Sequence, residues 1–285
     1  ETYFTSQVTG ATFTWTNSDP TIGIAASGTG NIAAFNASNT GTAPVTATIT
    51  VTPAAGCPGT PSSYTITVNP TPDVTVPANI AVCNGSNITA TNFTSNVTGA
   101  TFDWANSNTS IGLGTSGTGN IPAFNGTNTG TTPLTATITV TPAANTCSGI
   151  PSTYTITVNP DVIANAGPDD TICFNSSTVL NATPNGAGYT YSWAGATGLS
   201  NTNTYDPTAN PTATTNYTVT ITDANGCAGN DNVTIYSDPQ ITIAKTAIDV
   251  TCNGACNGQT IVIPAGGSGV FTYNWTSGCT TASCT

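Results

Sequence analysis

Apolar and small polar residues alternate through much of this chain. "PLTATITVTP" (133–142), "STYTITVNP" (152–160) and "NYTVTITDANGC" (216–227) each run through a stretch in which Ile, Val, Leu, Tyr or Ala alternates with Thr. A period of two is that of a strand with one buried and one exposed face. Thr, Val and Ile are β-branched and suit such strands. No window carries a sustained 3.6-residue apolar period, and 29 Gly and 19 Pro interrupt the chain at short intervals. The pattern predicts an all-β protein of short strands joined by frequent turns.

The same strands recur at long range. "VTGATFTWTNS" (8–18) returns as "VTGATFDWANS" (97–107), and "TATITVTPAA" (46–55) returns at 135–144, both at a shift of 89; one inserted residue makes the shift 90 for "YTITVNP" at 64–70 and 154–160. A period this long marks tandem domains. An aromatic residue stands two positions before Trp four times, at Phe13/Trp15, Phe102/Trp104, Tyr191/Trp193 and Tyr273/Trp275. Short Pro-containing joints fall at 69–77, 159–170 and 236–246. Four units follow: 1–70, 71–160, 161–238 and 239–285. Strand content and unit length predict immunoglobulin-like β-sandwiches strung as an elongated rod on stiff linkers.

Composition narrows the chemistry. The 285 residues hold one Lys, no Arg, no His and twelve acidic residues, a net charge of −11, yet charged residues are only 5 % of the chain and hydrophobic ones 37 %. This is a folded chain with a neutral Thr/Asn surface, not an acidic tail. Lacking His, it has no imidazole base and no His-ligated zinc. With Lys245 as its one basic side chain, it offers phosphate few partners and repels nucleic acid and anionic membranes. No stretch approaches the ~20 apolar residues of a membrane helix. The opening "ETYFTSQ" shows neither the basic nor the apolar region of a signal peptide.

"SGTGNIAAF" (27–35) contains Gly28, Gly30 and Ala33 in the G-x-G-x-x-A spacing of a dinucleotide loop. That loop functions only between a strand and a helix. Its second copy reads "SGTGNIPAF", with Pro122 at the third position, and neither copy precedes a helical pattern. The glycines are therefore expected to supply positive φ in a turn between strands. The four tryptophans admit two readings: an exposed sugar-binding platform, or one core residue per sandwich. Their recurrence at one place in every unit favours a core role for Trp15, Trp104, Trp193 and Trp275.

Nine cysteines without close C-x-x-C pairs point to disulfides in an oxidising, extracellular setting. Cys83 and Cys147 bracket the second unit, and Cys173 and Cys227 the third. Each pair is expected to tie an opening strand to the last hairpin, closing a loop worth about 4 kcal/mol in the chain-entropy account. Cys57 matches Cys147, but the match to Cys83 would precede Glu1, so the first unit is expected to lack its opening strand. The fourth unit, with Cys252, Cys256, Cys279 and Cys284 in no assigned pairing, is expected to be half a domain. The chain then reads as a window on a longer protein.

The third unit, "AGPDDTICFNSSTVLNATPNGAGYTYSWAGATGLSNTNTYDPTANPTATTNYTVTITDANGC", resembles the PKD-like domains of long surface proteins of gliding Bacteroidota. The first two, sharing "VTGATF.W" and "YTITVNP", resemble a neighbouring PKD-like type. The fourth, "DVTCNGACNGQTIVIPAGGSGVFTYNWTSG", resembles the SprB-type repeat of giant gliding-motility adhesins. The resemblance implies a cell-surface adhesin exported by type IX secretion, with its repeats forming a stalk or filament. Typical PKD domains follow the Trp with F-G-D-G, whereas "TNS", "ANS", "AGA" and "TSG" stand here, so no ligand role of that turn carries over.

Acidic residues gather weakly at the joints: Asp161, Asp169, Asp170 and Asp238, with Asp223 and Asp231 nearby. They are candidate calcium ligands, although no D-x-D-x-D-G run exists; solvated turn aspartates are the simpler reading, and no cofactor is expected otherwise. "DTI" (170–172) matches an Asp-Thr-apolar O-glycosylation pattern, which makes Thr171 the modification candidate. Three function classes follow: an adhesin stalk, a polysaccharide-binding module, or accessory repeats of a secreted enzyme. Expected partners are surface polysaccharide or other adhesin copies, with fibre formation among the outcomes. No catalytic residues are expected, since Asp is the one candidate acid or base and has no charge partner.

Overall fold

The computed structural model describes residues 1–252, 257–277 and 280–284. Chain contacts divide it into two units, Glu1–Pro160 and Asp161–Thr285. The first unit carries two immunoglobulin-like sandwiches. In the first lie β1 (Thr12–Asn17), β2 (Ser27–Thr29), β3 (Val45–Ala55), β4 (Cys57–Pro58) and β5 (Ser62–Val68). In the second lie β6 (Ile80–Cys83), β7 (Asn87–Ile88), β8 (Thr101–Asn106), β9 (Ser116–Thr118), β10 (Phe124–Asn125), β11 (Leu134–Ala144), β12 (Cys147–Ser148) and β13 (Ser152–Asn159).

Alternation becomes layering in these sheets. β11 pairs with β8 on one side and β13 on the other, with Val140 opposite Trp104 and Ile138 opposite both Asn106 and Tyr154. Ile138, Val140, Ile156 and Val158 are at most 1 % exposed. The Thr residues between them face outward, where Thr135 and Thr157 share a 3.0 Å hydroxyl contact. The same ladder in the first sandwich joins Thr46 to Thr67 and Thr50 to Ser63, each at 2.9 Å. Such cross-strand hydroxyl pairs supply the outer face with hydrogen bonds where ion pairs would otherwise stand.

The second unit holds a third sandwich: β14 (Asp170–Ile172), β15 (Thr178–Val179), β16 (Thr190–Ala194), β17 (Thr208–Ala209), β18 (Thr215–Thr222) and β19 (Ala228–Ser237). Its main sheet runs β14-β19-β18-β16, and its core contains Trp193, Tyr217, Val219, Ile221 and Ile235. After it come β20 (Thr242–Ile248), β21 (Gln259–Ala265) and β22 (Ser283–Cys284) in one three-stranded sheet. None of the described residues from 239 onward is buried, because a lone sheet has no second layer to pack against.

The opening strands pair in parallel with the closing ones. β6 lies along β13, with Ile80 opposite Ile156 and Cys83 opposite Asn159. β14 lies along β19, with Asp170 opposite Ile235 and Ile172 opposite Ser237.

The glycine loops have a different explanation from the expected one. Gly30 and Gly119 do take positive φ, +69° and +72°. Gly28 and Gly117 do not; each lies flat against an indole, and a Cβ there would stand 2.2 Å from Trp15 Cζ2 and 2.3 Å from Trp104 Cζ2. Backbone must approach the ring face, and only glycine allows it. Two residues past Trp15 and Trp104, Asn17 and Asn106 are buried and bridge the chain beyond the strand. Asn106 Nδ2 donates to Leu113 O at 2.9 Å, while its Oδ1 accepts from Asn108 N at 3.0 Å; Asn17 repeats this with Ile24 O and Asp19 N.

Gly117→Ala is expected to destabilise the second sandwich by about 1–3 kcal/mol through overpacking against Trp104. Gly114→Ala, where no atom lies within 4 Å of the added Cβ, is expected to stay within about 0.5 kcal/mol of the parent. Chemical denaturation followed by Trp fluorescence checks both.

Candidate functional site

Three of the four tryptophans are interior. Trp15, Trp104 and Trp193 are 8 %, 7 % and 4 % exposed, on β1 beside β3, β8 beside β11 and β16 beside β18. Trp193 Nε1 donates to Thr204 O at 2.9 Å. Trp275 departs from the expected core role. It is half-buried, its Nε1 donates to Thr281 O at 2.9 Å, and it lines a shallow hollow with Ile248, Val250 and Gln259. Among the described residues the three-stranded sheet beside it has no opposing layer in which to enclose the ring.

Neither expected disulfide forms. Cys147 and Cys173 have free thiols, as do Cys57 and Cys252, whereas Cys83, Cys227 and Cys284 are disulfide-bonded; Cys256 and Cys279 lie outside the described residues. Register explains the correction. Cys147 pairs with Ala144 at one end of β11, while Cys83 pairs with Asn159, beyond the Leu134 end. Ten residues of strand at about 3.3 Å each separate them by about 33 Å, and a disulfide needs Cα atoms within about 7 Å. In the third sandwich, Ile172 is level with Ser237, and Cys227 precedes Ala228 at the other end of β19. A parallel opening strand ends at the pole opposite the closing hairpin.

The joint aspartates bind their own surroundings. Asp169 Oδ1 accepts from Thr234 N at 2.7 Å. Asp170 accepts from its neighbour Thr171 N at 2.8 Å and from Thr178 Oγ1 at 2.7 Å, and Asp238 Oδ2 accepts from Ser268 Oγ at 2.5 Å. Asp161 is exposed. Among the described residues no three Asp, Glu, His or Cys side chains converge. Thr171 is exposed on the short strand β14, at one edge of its sheet.

Two further carboxyls are held below their ordinary range. Asp19 accepts from the hydroxyl and the backbone N–H of Thr21. Asp73 accepts chiefly from Asn96 N, at 2.8 Å, and also from Ser95 Oγ. Burial pushes the phenols of Tyr154 and Tyr217 above 10.0. All of these groups stabilise turns or cores, and none faces a partner suited to proton transfer.

The first sandwich carries an apolar concavity that motif reading did not find. It has a volume of about 420 Å³ and is lined by Phe4, Phe13, Val51, Pro53 and Tyr64. The Phe4 and Phe13 rings meet at 5.8 Å with a 50° tilt. Its walls are core-type side chains from β1, β3 and β5, which alternation marks as inward-facing but cannot show to be uncovered.

A profile of the PKD-like domain family matches residues 2–72 and 80–162, more than half of the chain. No curated protein matches the sequence. Among solved structures, the human desmocollin-1 ectodomain is 13 % identical, with 89 % of this chain and 59 % of that one covered and a TM-score of 0.30. Mouse cadherin-23 EC22–24 is 13 % identical over 79 % of this chain and 86 % of that one, with a TM-score of 0.31. Titin domains I67–I69, in an E-to-A variant, are 8 % identical over 68 % and 76 %, with a TM-score of 0.33. The chain thus spans less than two thirds of the desmocollin ectodomain.

Alkylation under native, non-reducing conditions is expected to label Cys57, Cys147, Cys173 and Cys252 and to leave Cys83 and Cys227 unlabelled, as read by peptide mass mapping. A second expectation concerns pH. The lowered Asp19 and Asp73 values stabilise the fold above the ordinary carboxylate value of 3.8, and that contribution is lost as pH falls through the folded values. The raised Tyr154 and Tyr217 values stabilise it below 10.0, and that contribution is lost as pH rises through the folded values. Melting temperature should therefore be flat from about pH 5 to 9, falling on either side, by calorimetry across a buffer series.

Proposed function

The chain belongs to the PKD-like domain family, and we propose that it is a stalk or filament segment of a large secreted bacterial cell-surface adhesin, acting in surface attachment or gliding motility. The burial of Trp15, Trp104 and Trp193 carries this reading. Three of the four tryptophans that could have formed a sugar platform are spent on domain cores, so what those three repeats offer to solvent is chiefly sheet faces of Thr, Ser and Asn. Such faces suit a spacer that holds a distant tip from the cell without binding ions or polyanions on the way. With so few like charges they also suit lateral packing against other copies.

Under this reading the four units 1–70, 71–160, 161–238 and 239–285 are successive beads, the last of SprB type, and the setting is extracellular. Thr171 is an accessible O-glycosylation site. Partners are other adhesin copies and, at the tip of the whole protein, surface polysaccharide. Calcium is a testable addition at the joints, not a requirement of the reading.

Small-angle scattering of the chain tests it. Strands of about ten residues make each domain roughly 35 Å long, so beads held in line give a maximum dimension of roughly 110–150 Å. A radius of gyration of about 19 Å, that of one compact domain of this length, would overturn the stalk reading. Repeating the measurement with calcium and with a chelator shows whether the joints respond to the ion.

A further inference from the structure

Each sandwich carries a Cys-x-Gly triplet on its last hairpin: Cys57-Pro58-Gly59, Cys147-Ser148-Gly149 and Cys227-Ala228-Gly229. In the second sandwich the glycine is obligatory, because a Cβ there would collide with Pro72 O in the joint that precedes the domain. The turn ahead of it, Asn145–Thr146, takes positive φ at both residues, and Asn145 O accepts from Asn69 Nδ2 at 3.1 Å. The hairpin therefore stands on the end of β5 in the preceding sandwich, and Cys147 stands with it.

The third sandwich repeats this contact with its own joint. A Cβ on Gly229 would collide with Val162 O, and Val162 follows Asn159 by the same three residues by which Pro72 follows Asn69. The turn is braced by Asp223, whose Oδ1 accepts from Asn225 N at 2.9 Å and from Cys227 N at 2.8 Å. Cys227 is thus fixed close to the segment that leaves β13. Cys83 is fixed where that segment begins: it lies level with Asn159, and Asn84 N donates to Asn159 O at 2.9 Å. Only about 10 Å of extended chain separates Asn159 from Val162. Both Cys83 and Cys227 are disulfide-bonded. Cys147 is free, and residues 1–56 hold no cysteine to stand level with Asn69 as Cys83 does with Asn159.

We propose that Cys83 and Cys227 are bonded to each other, so that the opening strand of one domain is stapled across the joint to the last hairpin of the next. In forming the bond, the two thiols give two protons and two electrons to a small disulfide such as oxidised glutathione, which leaves as two thiols; one S–S bond is made for one broken. The bond closes residues 84–226 into a loop. Tension along the chain then passes from Cys83 to Cys227 through the sulfurs, and strands β7 to β18 are taken out of the load path. The joint, otherwise a single run of backbone, carries two covalent connections. The pairing is independent of the stalk reading.

Non-reducing peptide mapping of the whole chain, after thiol alkylation and peptic digestion, decides it. A linked pair of peptides containing Cys83 and Cys227 is expected, and reduction is expected to release the two halves. Cys83→Ala is expected to make Cys227 open to alkylation, and Cys227→Ala to do the same for Cys83, with far-UV circular dichroism unchanged. In force spectroscopy on the chain held at its termini, the length between Cys83 and Cys227 is expected to be missing without reductant and to appear with it. Cys83 or Cys227 linked to any other cysteine, in the same chain or in a second copy, overturns the proposal. So does a chain that extends to the same length with and without reductant.

Discussion

The parallel pairing of each domain's opening strand with its closing strand is the constraint on which most else depends. It joins the two ends of a sandwich in one sheet and buries the inward faces of both, as β6 does for Ile156 and Val158. Because the two strands run in the same direction, the opening strand finishes at the pole opposite the final hairpin. Cys83 and Cys147 therefore cannot meet, nor can Cys173 and Cys227, although spacing along the chain brackets each domain neatly.

The interior is built on indoles more than on staples. Trp15 and Trp104 each lie between the longest strand of the sheet and a glycine backbone, and the flat contact at Gly28 and Gly117 gives the ring close packing on a face where a side chain could not fit. The buried Asn17 and Asn106 then satisfy the backbone that leaves the strand. These three features recur together in both copies, which is why a loop resembling a nucleotide fingerprint is an element of core packing.

Outside that core the molecule is polar without being charged. Hydroxyl pairs such as Thr135 with Thr157 take the positions that Lys and Glu occupy on most sheets, and the few aspartates cap turns. The proposed role as a repeating element of an adhesin rests on this polar, sparsely charged surface together with membership of the PKD-like family.

Alternation, turn residues and the 89-residue repeat determined on their own the strand class, the inward faces and the existence of tandem sandwiches, because those depend on local period and on which side chains avoid water. The recurrence of Trp two residues after an aromatic marked the cores correctly for Trp15, Trp104 and Trp193. It failed for Trp275, since burial requires an opposing layer that no local pattern reports. Cysteine partners, the role of Gly28 and Gly117, and the hollow beside Phe4 and Tyr64 were decided by tertiary structure alone. Each depends on which strand lies next to which, in what direction and at what register, and those are relations between segments tens of residues apart.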